Sequence, residues 1–308
     1  MDASARWAFI LLEVIIAVAC CLGNAVVIWA VWTCEVFRKP TFYFIASLAV
    51  ADFLVGFVAI PLAMLLDIEV KASFHGCLFM CCVLLMLPIT SIVLLLAIAV
   101  DRFLLVRIPL RYSSTVTAKR AWIVIALCWI ISAVWGFMPM FGLNNQNSLD
   151  STAQNNTNSA NFQCGFLIVI PITFLVNIIF FTCLLPPLVI MTGLYLYIFL
   201  TTRKRLRAHI GETTTTGTDY QKEHKLVTSL ALVLVLFAVC WLPLFLMNTA
   251  QLYGNNITVP PTLIDIGVLL SHFNSAVNPI VYAFRIPKIK ETCIKMWRRH
   301  YHGREEQF

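Results

Sequence analysis

Apolar residues in this chain come in seven long runs, not in the period-two alternation of strands. The runs cover roughly 8–32, 41–65, 76–106, 120–142, 170–202, 225–250 and 261–284, with polar or turn-rich stretches between them. A helix needs about 20 mainly apolar residues to cross a bilayer, and every run is long enough. A further segment, 286–300, reads IPKIKETCIKMWRRH. It is too charged and too short to span, but Ile286, Ile289, Cys293, Ile294 and Trp297 recur at helical spacing, so it is expected to lie along the interface. The pattern predicts an all-α integral membrane protein: a seven-transmembrane helix bundle plus a short amphipathic interfacial helix. An N-terminal segment (1–7) would precede the helical domain (8–284), and the interfacial helix and tail (285–308) would follow it.

Composition agrees. Of the 308 residues 60% are hydrophobic and 12% charged, against about 45–50% and about 25% in soluble domains. The net charge of +7 reports topology rather than nucleic-acid binding. Of the 22 basic residues only Arg6 and Lys71 fall on one side of the predicted membrane. The rest cluster on the other, at Arg38 and Lys39, Arg102 to Arg120, Arg203 to Lys225, and Arg285 onward. Basic loops stay in the cytoplasm, so the N-terminus is expected outside the cell and the C-terminus inside, at the plasma membrane. No cleavable leader is expected before the first run, which would act as its own signal anchor. Two Asn-x-Thr sequons, at Asn155 and Asn256, fall on predicted outer loops and are candidate glycosylation sites. Thr213 to Thr216 read as a flexible inner linker. Most of the eleven cysteines sit inside apolar runs as small hydrophobes. None has zinc-ligand spacing, so no transition metal is expected.

Polar residues inside the spans are costly and mark candidate function. They are Glu13 and Asn24, Asp52, Ser91, Asp101 and Arg102, Asn248, then Ser271, His272, Asn274, Ser275 and Asn278. Asp52 has no basic neighbour at its depth. Two readings stay open: a protonated acid in a hydrogen-bonded network, or a carboxylate holding a small monovalent cation with oxygens from Ser91, Asn274, Ser275 and Asn278. Pro187, Pro243 and Pro279 each remove a helical hydrogen bond and permit a kink.

Certain motifs recur in order across the spans: Gly23-Asn24, LAVAD ending at Asp52, Asp101-Arg102-Phe103, Trp129, Cys240-Trp241-Leu242-Pro243 and Asn278-Pro279-Ile280-Val281-Tyr282. This set resembles the rhodopsin-like G-protein-coupled receptors over nearly the whole chain. The resemblance implies a disulfide between Cys77 and Cys164, and an Arg102 held by Asp101 and by Glu223 until the sixth span swings out. It implies Trp241 beneath a ligand, Tyr282 moving inward on activation, and allosteric sodium at Asp52, Ser91 and Asn274. Phe103 stands where the family has Tyr, with a small expected effect. No other cofactor is implied; the partners would be a small-molecule ligand, a heterotrimeric G protein and the bilayer.

The stretches TFYFIASLAVAD, LLAIAVDRFLLVRIPLRY, FAVCWLPL and LLSHFNSAVNPIVYAFRI resemble the adenosine receptors in particular. Carried over by position, Asn248 would meet the amine edge of a purine and Phe166 would stack on its ring. Ser271 and His272 would hold the ribose, Glu13 would pair with His272, and Leu244 would be an apolar floor contact. The chain also departs from that subfamily. Pro88-Ile89 replaces Thr-Gln, Leu167 replaces Glu, Ile179 replaces Asn, and Phe245 replaces a polar residue. These changes motivate an alternative: a relative with a different ligand, constitutive signalling or binding alone. A retinal protein is excluded because 261–284 contain no lysine. A transporter is disfavoured for want of an inverted repeat, and an enzyme for want of a nucleophile–base pair. By likeness the G protein would be of the inhibitory class, and Cys293 is a candidate palmitoylation site.

Overall fold

The computed structural model describes residues 3–33, 39–68, 70–146, 162–208, 216–254 and 257–285. The 286–300 segment, Cys293 and both sequons lie outside them, as do the side chains of Glu223 and Tyr282, whose backbones are helical.

Helix α1 (Ala3–Thr33) packs beside a second rod in which α2 (Pro40–Leu54), a π-helical stretch (Val55–Ala59) and α3 (Ile60–Asp67) follow one another without a break. A two-residue strand β1 (Lys71–Ala72) precedes α4 (Phe74–Arg107), the short α5 (Pro109–Thr115) and α6 (Ala118–Phe137). Strand β2 (Phe162–Gln163) pairs antiparallel with β1. After it come α7 (Phe166–Val169), a π-helical stretch (Phe174–Leu184) and α8 (Leu185–Ala208), then α9 (Thr216–Tyr253) and α10 (Pro261–Arg285). The long helices close into a ring, because α10 packs on both α9 and α1, and α4 runs through the interior against α2, α6 and α8.

Among the described residues six helices are long and apolar enough to cross a membrane. The seventh long helix, α10, carries Ser271, His272, Asn274, Ser275 and Asn278, which lower its mean hydropathy. Burial is inverted relative to a soluble protein. Trp29, Trp32, Ile130, Leu196 and Val239 face outward, while Glu13, Asn24, Asp52, Arg102 and Asn278 are buried. That distribution fits a lipid solvent, which solvates the outer face and leaves polar groups to find partners inside.

Sequence chemistry sets the local breaks. Ser73 caps α4 by accepting from Gly76 N–H at 3.3 Å, and Thr117 caps α6 by accepting from Arg120 N–H at 3.4 Å. Both π stretches run up to prolines. Pro61 and Pro186 have no N–H to offer the carbonyl four residues back, and just before each one the bonding is five residues long: Ile60 N–H to Val55 O, and Leu185 N–H to Phe180 O. Gly136 lets α6 touch α4, since a Cβ there would stand 2.7 Å from Met86 Cα.

Candidate functional site

A cavity of about 490 Å³ opens between α3, α4, α7, α9 and α10. It lies toward the end of the bundle that carries the Cys77–Cys164 disulfide, whose Cα atoms are 5.6 Å apart. The disulfide fixes the chain just before α7. Cys164 N–H also donates to Val70 O at 3.0 Å, and Asn145 Nδ2 donates to the carbonyls of Leu167 and Ile168. Phe166 is thereby held at the cavity wall.

Helical spacing delivers the other lining groups. Trp241, Leu244, Phe245 and Asn248 share one face of α9, at steps of three and four residues, and all four line the cavity. Asn248 is 8% exposed and has no hydrogen-bond partner among the described residues, so its carboxamide offers a donor and an acceptor to the cavity. The indole N–H of Trp241 is also buried without a partner among them. On α10, Ser271 donates to Val268 O at 2.7 Å and keeps its lone pairs for the cavity. His272 Nδ1 sits 3.0 and 2.9 Å from the two oxygens of the fully buried Glu13. A carboxylate can only accept, so Nδ1 donates and a neutral ring presents Nε2 as an acceptor. Glu13 itself stands behind the histidine. Pro88, Ile89, Leu167, Ile179 and Phe245 all line the same cavity. Phe245 stacks on Phe180, with ring centroids 5.3 Å apart and planes 10° from parallel.

Below the cavity, Asp52 is fully buried. It accepts from Ser275 at 2.8 Å, from Asn278 Nδ2 at 2.7 Å and from Ser91 at 3.4 Å. The Oδ1 atoms of Asn274 and Asn278 are buried without partners among the described residues. A carboxylate with uncommitted carbonyl oxygens close to it is a donor set that a hard monovalent cation fits. Ser91, Asn274 and Ser275 also line the floor of the cavity, so the two sites adjoin. Asn24 ties α1 to α10 through Ser275 O at 3.1 Å.

At the other end of the bundle, Arg102 Nε donates to Asp101 Oδ2 at 3.0 Å. The same oxygen accepts from Thr41 at 2.7 Å, and Oδ1 accepts from Tyr112 at 2.6 Å. Burial and the Asp101 carboxylate push the Tyr112 phenol above its ordinary value, which keeps it protonated as the donor. Thr41 and Tyr112 were not legible as partners. Tyr112 lies eleven residues beyond Asp101, across the proline that starts α5, and no period links them. Phe103 packs on Tyr197, centroids 5.2 Å apart.

Residues 23–282 match the family described as 7 transmembrane receptor (rhodopsin family). The chain is 40% identical over 292 residues to adenosine receptor A3 of Canis lupus familiaris, covering 95% of this chain and 91% of that protein. It is 42% identical over 286 residues to adenosine receptor A3 of Ovis aries, covering 93% and 88%.

Proposed function

The chain belongs to the rhodopsin-family seven-transmembrane receptors, within the adenosine receptor subfamily, and from that we propose that its cavity binds adenosine or a closely related purine nucleoside. The single observation that carries this reading is Asn248: a buried carboxamide without a partner among the described residues, on the wall of a cavity whose opposite polar face is the Glu13-oriented His272 with Ser271. A carboxamide matches the amine and ring nitrogen of adenine as one donor and one acceptor. Phe166 covers the ring, and Leu244 and Trp241 form the floor. The ribose hydroxyls meet Ser271 and His272 Nε2.

Ligand binding acts by differential affinity for two states of the bundle. In the resting state Asp101, with Thr41 and Tyr112 behind it, holds Arg102 inside the bundle. Release of Arg102, with movement of the sixth span and of Tyr282, opens a face for a heterotrimeric G protein. Glu223 is a second restraint on Arg102 in this reading. The disulfide end faces the outside of the cell and the Arg102 end the cytoplasm. No bond is made or broken. A sodium ion held by Asp52, Ser91, Asn274 and Asn278 would stabilise the resting state through charge alone.

The test is an adenosine dose–response for G-protein activation in cells without other adenosine receptors, with surface expression measured in parallel. A saturable response is expected. Silence from well-expressed protein would overturn the nucleoside reading and point to the apolar substitutions at Pro88, Ile89, Leu167, Ile179 and Phe245. For the cation, Asp52→Asn is expected to abolish the sodium sensitivity of agonist binding; sensitivity that persists would rule the ion out at this site.

A further inference from the structure

No side chain among the described residues holds the Asn248 carboxamide in place. Its neighbour Thr249 is no tether, since that hydroxyl donates back to Phe245 O at 2.7 Å within α9. The aim of the carboxamide therefore depends on how α9 is turned about its own axis. Helix α9 packs on the π stretch before α8, and two joints connect them. One is the stack of Phe245 on Phe180, with centroids 5.3 Å apart. Apolar packing is non-directional, so it keeps the helices together without fixing their rotation. The other is polar and lies at the outer end. Tyr253, the last residue of α9, donates its phenol O–H to Asn177 Oδ1. Among the described residues no other side-chain hydrogen bond joins α9 to the π stretch.

Helical geometry turns both partners away from the cavity. Asn177 is two residues from Leu175 and from Ile179, roughly half a helical turn. Those two line the cavity, while Asn177 is exposed on the outer face. Tyr253 stands five residues beyond Asn248, is 60% exposed and does not line the cavity. The pair thus clasps the two cavity walls from outside. Phe181 and Leu246 are exposed on the same two elements, as expected of a face turned to lipid. Lipid chains offer no hydrogen bond in exchange for this one. A hydrogen bond also weakens steeply as its angle opens, so the clasp resists rotation of the outer end of α9. Asn248 is only about one and a half turns from that end.

We propose that Tyr253 and Asn177 form an outer clasp that sets the rotation of α9 and so aims Asn248 at the amine edge of the ligand. They are positioning residues: neither touches the ligand, and both sharpen selection for a base that carries the exocyclic amine. Their role rests on the purine reading of the site, in which Asn248 meets that amine.

The test compares radiolabelled adenosine with radiolabelled purine riboside, its counterpart without the exocyclic amine, on membranes carrying the full chain. Affinities are measured for the parent, Tyr253→Phe, Asn177→Leu and the double variant. In each single variant the preference for adenosine over purine riboside is expected to shrink about three- to fivefold, the scale of one net hydrogen bond. The double variant should lose no more than about 1.5-fold beyond the more affected single one, because both changes break the same bond. The ratio is taken within one variant, so changes in folding and surface expression cancel. Tyr253→Phe removes a single oxygen from an exposed ring, and it carries the test alone if the other variants do not reach the membrane. Equal losses for the two ligands would make the pair ordinary structural support and overturn the inference. A preference that survives Tyr253→Phe, or losses that multiply in the double variant, would overturn it too. In each of these cases adenosine still binds the parent with its preference, so the purine reading stands. A parent that binds neither ligand, or both equally, sinks the pose at Asn248 and the clasp's role with it.

Discussion

The two walls of the cavity solve the same problem in opposite ways. On the wall formed by α10 with the upper part of α9, polar groups are buried and left open toward the cavity: Asn248, Ser271 and the outer face of His272, with Glu13 behind. On the wall formed by α4 and the π stretch before α8, the lining is Pro88, Ile89 and Ile179, and Phe245 closes against it by stacking on Phe180. A buried polar group without a partner costs about 1–3 kcal/mol, so the first wall stores a demand that a ligand can meet. The second wall has no such demand and is already satisfied by its own packing. In a bundle whose solvent is lipid, specificity therefore belongs to the polar wall, and the apolar wall sets shape. Experiments that exchange character between the walls test this division.

The largest effect is expected from removing the open carboxamide. Asn248→Ala deletes one donor and one acceptor together and leaves both adenine groups unpaired. At about 1.5 kcal/mol each, adenosine affinity should fall about 100-fold or more, with surface expression near normal. Saturation binding on intact cells measures both at once, and an affinity within about threefold of the parent would contradict the assigned pose.

Glu13→Gln works one layer back. Glutamine keeps an oxygen for His272 Nδ1 but loses the charge that holds the ring in one tautomer. A loss of about tenfold in adenosine affinity is expected, the scale of a charge-assisted bond reduced to a neutral one. The diagnostic is a cycle with 3′-deoxyadenosine. If Glu13 acts through His272 on the ribose, the deficit of the deoxy ligand should shrink in the variant. An unchanged deficit would make Glu13 a packing residue.

Converting the apolar wall should give a smaller effect of opposite sign. Pro88→Thr restores a backbone N–H inside α4 and places a hydroxyl at the cavity wall. A gain of about five- to tenfold in adenosine potency is expected from one added hydrogen bond. No gain would mean that the apolar wall is too tightly closed to receive a polar contact.

How far the sequence anticipated this arrangement differs between the walls. The seven helices were legible because lipid demands long apolar runs, and the open groups of α9 and α10 were legible because polar residues stand out inside apolar spans and the resemblance assigned Asn248, Ser271 and His272 to a ligand. Period alone tells which face of a helix is polar. It does not tell which neighbour that face meets, since the rotation and height of each helix depend on the whole bundle. Thr41 and Tyr112 beside Asp101 were invisible for that reason. Ser275 stood among several candidate oxygens for Asp52, yet its bond at 2.8 Å could not be ranked above the others. Both π stretches were missed as well. Pro61 and Pro186 were present in the sequence, but a proline announces a lost hydrogen bond and not whether the helix kinks or widens around it.

The smallest expected effect is the sharpest test of the apolar wall. Phe245 is 5% exposed and sits in a row of rings, 5.3 Å from Phe180 and 5.9 Å from Trp241. Phe245→Leu keeps an apolar side chain and removes only the aromatic contacts, which are worth about 0.5–1.5 kcal/mol beyond area burial. If the wall provides shape alone, the change should appear in thermal stability, as a drop of a few degrees for the detergent-solubilised receptor, while adenosine affinity moves by less than about twofold. Phe245 also touches Trp241, the residue placed beneath the ligand, so a second result is informative. A rise in basal G-protein activation at unchanged affinity would mean that the ring row restrains Trp241 in the resting state. A loss of affinity above about tenfold would mean that Phe245 is itself a ligand contact, and the division of labour between the two walls would fail.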